Sequence, residues 1–197
     1  SRALCSLPQG RTQGLGARKP AGPAQYALSS FNIPMHIGPL LFCGDPHGQW
    51  QHIIDAALQT SARAVILLGD LEPARALHLE LAPIEDRVWF IHGNHDTDRP
   101  DIFNNVWHSA LAHRHIHARV ATLPCGTRIA GLGGVFRGAV WNPKDKRASH
   151  FRNRETHARA TPEQAGLQGG VLLKHWSSIY PDEFDQLSQL SADVLIT

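Results

Sequence analysis

The sequence predicts an α/β fold built on parallel strands, and three observations carry that reading. Three short apolar runs, Leu40-Leu41-Phe42-Cys43, Ala64-Val65-Ile66-Leu67-Leu68 and Val88-Trp89-Phe90-Ile91, each end in a polar turn that contains glycine. Runs of this length bounded by turn signals match strands buried on both faces, as parallel sheets require. Stretches of helical period separate the first run from the second and the second from the third. Strand, turn and helix occurring twice, followed by another strand and turn, is the grammar of βαβ units.

The elements follow in order. Trp50, Ile53, Ile54, Ala57 and Leu58 fall at i, i+3, i+4, i+7 and i+8, one apolar face of a helix. Pro73 suits a first helical position, and Ala74, Leu77 and Leu81 keep helical spacing until Pro83. Ile102 to Leu111 reads as a helix. His115–Leu123 and Thr127–Leu132 alternate like paired strands around the Pro124-Cys125-Gly126 turn. Residues 137–170 are polar, basic and loop-like. Pro181 to Leu190 reads as a helix and Val194-Leu195-Ile196 as a strand. Residues 1–38 are rich in Gly, Pro, Gln and Ser and show no sustained period, so they are expected to be a flexible N-terminal extension to a domain over 39–197.

Composition narrows the function classes. A chain of 197 residues with 42% hydrophobic content can bury the core of one domain. No apolar run approaches the about 18 residues of a membrane span. Cys5, Cys43 and Cys125 are too scattered for a disulfide framework or a paired-cysteine zinc site, which points to a reducing, cytoplasmic setting. The net charge of +2 is misleading, because residues 1–44 hold Arg2, Arg11, Arg18 and Lys19 and no acid. Downstream, fifteen basic residues face seventeen acidic ones, which weakens any case for a nucleic-acid-binding face.

The chemistry gathers at the strand ends. In open α/β sheets ligands bind beyond the carboxyl ends of parallel strands. Asp45, His47, Asp70, Asn94 and His95 all follow apolar runs directly and are expected to converge there. Carboxylate, imidazole and amide oxygen suit hard or borderline divalent ions such as Mn²⁺, Fe²⁺, Zn²⁺ or Mg²⁺. Any one of these residues alone would read as a loop, capping or surface residue. Their order and their spacing of about 25 residues set that reading aside.

Gly44-Asp45-Pro46-His47-Gly48, Gly69-Asp70 and Gly93-Asn94-His95-Asp96 resemble the first three signature motifs of the calcineurin-like metallophosphoesterases. The resemblance covers roughly residues 39–135, including Ile129-Ala130-Gly131-Leu132-Gly133-Gly134. It implies the family's sandwich of two mixed sheets flanked by helices. It also implies a hydrolase of phosphate esters, a phosphomonoesterase or phosphodiesterase. Two divalent ions about 3.5–4 Å apart would share a bridging hydroxide. By the same resemblance Asp45 and His47 would hold the first ion, Asp70 would bridge, Asn94 would hold the second, and His95 would be the general acid. The implied substrate is a phosphorylated small molecule or other phosphoester. Alternatives are a nuclease of the same fold or a non-catalytic scaffold.

Departures from the family pattern matter too. A later strand-end histidine and a Gly-His-x-His stretch are not found, and the last residues read as the strand that would precede that histidine. The expectation is a fragment lacking its C-terminal part, with a weakly held second ion. After Asp70, Pro73 and Ala74 stand where the phosphoprotein-phosphatase branch has Asp and Arg. That argues against this branch and leaves the orientation of His95 open. Glu72 reads as the solvated start of a helix, and Asp96 as a residue that orders its loop without binding metal. His108, His113, His115 and His117 are expected to form an exposed stripe. Arg137 is a candidate phosphate contact or an ordinary surface arginine. The basic stretch from Lys144 to Arg154 reads as a solvated loop, and Cys43 as core filler.

Overall fold

A computed structural model describes residues 38–145, 149–163 and 167–197. The expected N-terminal extension lies outside the described residues, apart from Gly38. The first sheet consists of β1 (Leu40–Cys43), β2 (Ala64–Leu68) and β3 (Val88–Ile91), in that order and all parallel. Helix α1 (Gln51–Gln59) crosses from β1 to β2 and buries Ile53, Ile54 and Ala57 of the face that its spacing predicts, while Leu58, at the last turn, is exposed. A short α2 (Leu77–Glu80) precedes β3, and beyond β3 come α3 (Pro100–Trp107), β4 (Arg119–Thr122) and β5 (Arg128–Gly131). Strands β4 and β5 pair antiparallel, and the last strand, β8 (Val194–Ile196), joins β5 in parallel. This second sheet is therefore mixed, whereas the first is wholly parallel among the described residues.

Side-chain alternation places the core in layers. Along β2, Val65 and Leu67 face the helices and pack with Ile53, Leu77, Leu81 and Phe90. Ala64 and Ile66 point to the other side and pack with Ile116, Ile129 and Ile196 of the second sheet. Neighbouring residues of one strand thus serve two interfaces, as a sandwich demands. Full burial of a side chain such as Ile66 contributes about 1.5–3 kcal/mol. Helix α5 (Pro181–Ser188) covers the outer face, with Leu187 against Ala130 and Leu132. No helix among the described residues is long and apolar enough to cross a membrane.

Several elements differ from the sequence reading. Strand β1 lies at the edge of its sheet among the described residues, and Phe42 is 44% exposed rather than buried. The helix expected from Pro73 starts only at Leu77, because the preceding backbone is committed elsewhere. Leu71 and Glu72 donate their N–H groups to Asp96, and the Pro73 carbonyl accepts from Asn105. The stretch 137–170 is not all loop. Helix α4 (Arg154–Ala160) starts at Asn153, whose side chain accepts from Thr156 N–H while Thr156 Oγ1 caps in return. Strands β6 (Leu167–Gln168) and β7 (Val171–Leu172) form a small antiparallel hairpin.

A candidate metal centre at the strand ends

Because β1, β2 and β3 are parallel neighbours, their C-terminal loops open on the same edge of the sheet. The first two loops are laced together by backbone hydrogen bonds. His47 N–H donates to the Asp70 carbonyl at 3.0 Å, and Gly48 N–H to that of Leu71 at 2.9 Å. Asp45, His47, Asp70 and Glu72 have φ of 45°, 43°, 48° and 44°. Left-handed backbone at a non-glycine residue costs of order 1–3 kcal/mol and persists only where surroundings enforce it. Four such residues in two adjoining loops mark backbone shaped for something other than stability.

Strain of this kind presents three ligand-type side chains to one point. Single ligand atoms of Asp45, His47 and Asp70 all lie within 4.8 Å of one another. The third loop completes the enclosure. Asp70 Oδ1 accepts from His95 N–H at 3.0 Å. A Cβ on Gly93 would collide with the Asp70 carboxylate, so only glycine lets the third loop approach this closely. Carboxylate, imidazole and carboxylate at this separation fit a hard or borderline divalent cation.

The sequence model of the calcineurin-like phosphoesterase family matches residues 38–184. The chain belongs to that family. A protein of Haemophilus influenzae with no assigned function is 40% identical over 157 residues, 80% of this chain and 68% of that protein. No solved structure gives a significant match. Membership in the calcineurin-like phosphoesterases makes this a metal-dependent hydrolase of phosphoesters in general, and divalent metals are the cofactors typical of that family. The α/β sandwich agrees with the fold that the family implies.

Within this phosphoesterase the predicted site residues separate into two groups. Asp45, His47 and Asp70 come together, with His95 beside them, its ring centroid 6.0 Å from that of His47. Asn94 sits on the same third loop, half-buried, with its carbonyl accepting from Thr97 Oγ1 at 3.2 Å. Arg137 stands further off. It donates to Ser177 Oγ at 3.2 Å, and that hydroxyl lies 2.8 Å from Thr97 Oγ1 on the turn that carries His95.

Asp96 orders the loops, as its place in the third motif suggested. Its Oδ1 accepts from Leu71 and Glu72 N–H at 2.8 and 2.9 Å, and its Oδ2 from Gly93 N–H at 2.8 Å. Burial pushes its carboxyl up to about 6, against the pull of those three donors.

Sequence reasoning missed two partners. Asp98 Oδ2 lies 2.7 Å from His95 Nδ1, and this bond is the main cause that raises the pKa of His95. The signal was present, since Asp98 follows His95 by three residues within one tight turn. Glu72 is not a solvated helix start, because no helix begins there and its Oε1 lies 2.6 Å from His47 Nδ1. The expected histidine stripe is also corrected for two members. His115 Nε2 lies 2.9 Å from Nδ1 of buried His92, and His117 packs 4.7 Å from the His92 ring. Isolated bridges Phe90–His115 and His117–Gly131 pull this segment inward between β3 and β5.

Proposed function

We propose that this protein hydrolyses a phosphorylated small molecule at a dinuclear centre of divalent ions, Mn²⁺, Fe²⁺, Zn²⁺ or Mg²⁺. In this reading Asp45, His47 and Asp70 would hold one ion, and Asp70 and Asn94 would serve the second. The observation that supports it is the convergence of Asp45, His47 and Asp70 within 4.8 Å on strained loops. Bound ions supply charge that offsets the phosphoryl oxygens and make water a nucleophile at neutral pH.

The remaining work falls to the chain itself. His95 is the general acid. With Nδ1 engaged by Asp98, its Nε2 is the nitrogen left to pass a proton to the departing oxygen. Asp98 favours the protonated ring, the state an acid must start from. Asp70 positions the acid, since its carboxylate accepts from the backbone of His95. Arg137 is the candidate grip on a phosphoryl oxygen, because its buried Nε has no hydrogen-bond partner among the described residues. Cys43 and Cys125 are free thiols, which accords with a reducing, cytoplasmic location.

The test compares hydrolysis of p-nitrophenyl phosphate and bis(p-nitrophenyl) phosphate with Mn²⁺ present, for wild type, Asp70→Asn and His95→Ala. Turnover that Asp70→Asn abolishes and His95→Ala cuts by about 10²-fold or more is expected. The preferred ester separates monoesterase from diesterase. No turnover on either ester with Mn²⁺ bound would overturn general phosphoesterase activity.

A further inference from the structure

Glu72 is the residue that the sequence left without a role, and its setting is unusual on three counts. It takes a left-handed φ of 44° although it carries a full side chain. It precedes Pro73, whose ring further restricts the backbone of the residue before it. Its N–H is tied to buried Asp96 at 2.9 Å, which enforces the conformation. The outcome of this forced geometry is one contact, Glu72 Oε1 to His47 Nδ1 at 2.6 Å, across 25 residues of sequence.

That contact has a direct chemical consequence. A carboxylate only accepts, so the shared proton resides on Nδ1, and the lone pair of the neutral ring is left on Nε2. An imidazole whose other nitrogen is bound to a carboxylate is fixed in tautomer and rotation and is the more basic ligand. Glu72 is not itself among the mutually close ligand atoms, which are those of Asp45, His47 and Asp70. Its contact engages Nδ1 and leaves Nε2 as the nitrogen available to a cation.

We propose that Glu72 is a positioning residue that sets the tautomer and orientation of His47 for a divalent cation, an inference that rests on the metal-centre reading above. Glu72 stands beside the position where the phosphoprotein-phosphatase branch carries its second Asp, but it serves the metal-side histidine. The acid histidine has Asp98 instead.

The experiment has two readouts, neither of them turnover. In the metal-free protein, ¹⁵N-resolved NMR of the imidazoles should show neutral His47 as the Nδ1–H tautomer. In Glu72→Ala it should become a mixture or shift to Nε2–H. Mn²⁺ affinity, read from the free-ion electron-paramagnetic signal, should weaken about 10–100-fold in Glu72→Ala. Glu72→Gln keeps an oxygen acceptor for Nδ1–H and should recover most of that loss, which a merely structural role would not explain. An Nε2–H tautomer in wild type overturns the proposal. So does unchanged or tighter Mn²⁺ binding in Glu72→Ala, the latter meaning that Glu72 competes with metal for His47. If wild type has the Nδ1–H tautomer but binds no Mn²⁺, the metal-centre reading fails while the Glu72–His47 contact stands.

Discussion

His95 and Asp98 form a hydrogen-bonded pair, Nδ1 to Oδ2 at 2.7 Å, inside one turn that also carries Asp96. The pair raises the pKa of His95 chiefly through that bond, assisted by the negative charges of Asp70, Asp98 and Glu72. In the general-acid role proposed for His95, a raised pKa keeps the ring protonated to higher pH, and activity is lost as pH rises through that value. Asp98→Asn removes the charge and lowers the pKa. The basic limb of the kcat–pH profile should therefore move to lower pH, with kcat reduced about 10-fold or more and KM little changed. An unmoved basic limb would show that Asp98 does not tune His95.

Asp96 binds three backbone N–H groups from two loops and is fully buried. In Asp96→Asn one carboxylate oxygen becomes an NH₂ that faces a donor, leaving a buried amide unpaired. The expected loss is about 1–3 kcal/mol of unfolding free energy, measured by urea denaturation of the metal-free protein. Because these loops carry Asp70 and Glu72, Mn²⁺ affinity should fall with it. A change below about 0.5 kcal/mol would mean that the loops hold their shape without Asp96.

His92 and His115 make the protein acid-sensitive. Burial, then the positive charges of His117 and Arg119, pushes His115 down to about 3. His92 is also well below its ordinary value, first through burial and then through His117, His115 and Arg154. The unfolded chain takes up these protons near pH 6.5 and the folded chain does not. Stability is thus intact above about pH 6.5 and falls below it by about 1.4 kcal/mol per pH unit per group. Asp96, raised to about 6, acts with the opposite sign, since between about pH 4 and 6 the folded state holds its extra proton. A comparison with His115→Phe isolates the histidine. Phe can keep the stack on Phe90, where the His115 ring lies at 5.0 Å. The fall in unfolding free energy from pH 6.5 to 5 should be shallower in His115→Phe. Equal slopes would mean that His115 takes its proton in the folded state.

The legible part of this molecule is the part written in local pattern. The strands β1, β2 and β3 coincide with the apolar runs at 40–43, 64–68 and 88–91. The convergence of Asp45, His47 and Asp70 followed from strand direction alone, because parallel neighbours present their C-terminal loops together. Helix α4 escaped because its polar residues carry no apolar stripe, and its signals were the Asn153 cap and the Glu155–Arg159 pair. The shortened α2 escaped because periodicity does not register that Asp96 has taken the N–H groups upstream of it.

By itself, then, the sequence determined the parallel βαβ frame, the chemistry of the candidate ligand side chains and the edge of the sheet where they meet. Side-chain period and strand order are short-range properties, and they suffice for that. Only the tertiary structure decided that Glu72 serves His47. It also decided that His115 and His117 turn inward to meet His92 rather than outward as a stripe. Such partnerships depend on left-handed backbone at single residues and on contacts across about 25 positions. Both are set by the packing of loops against one another, and no local pattern encodes them.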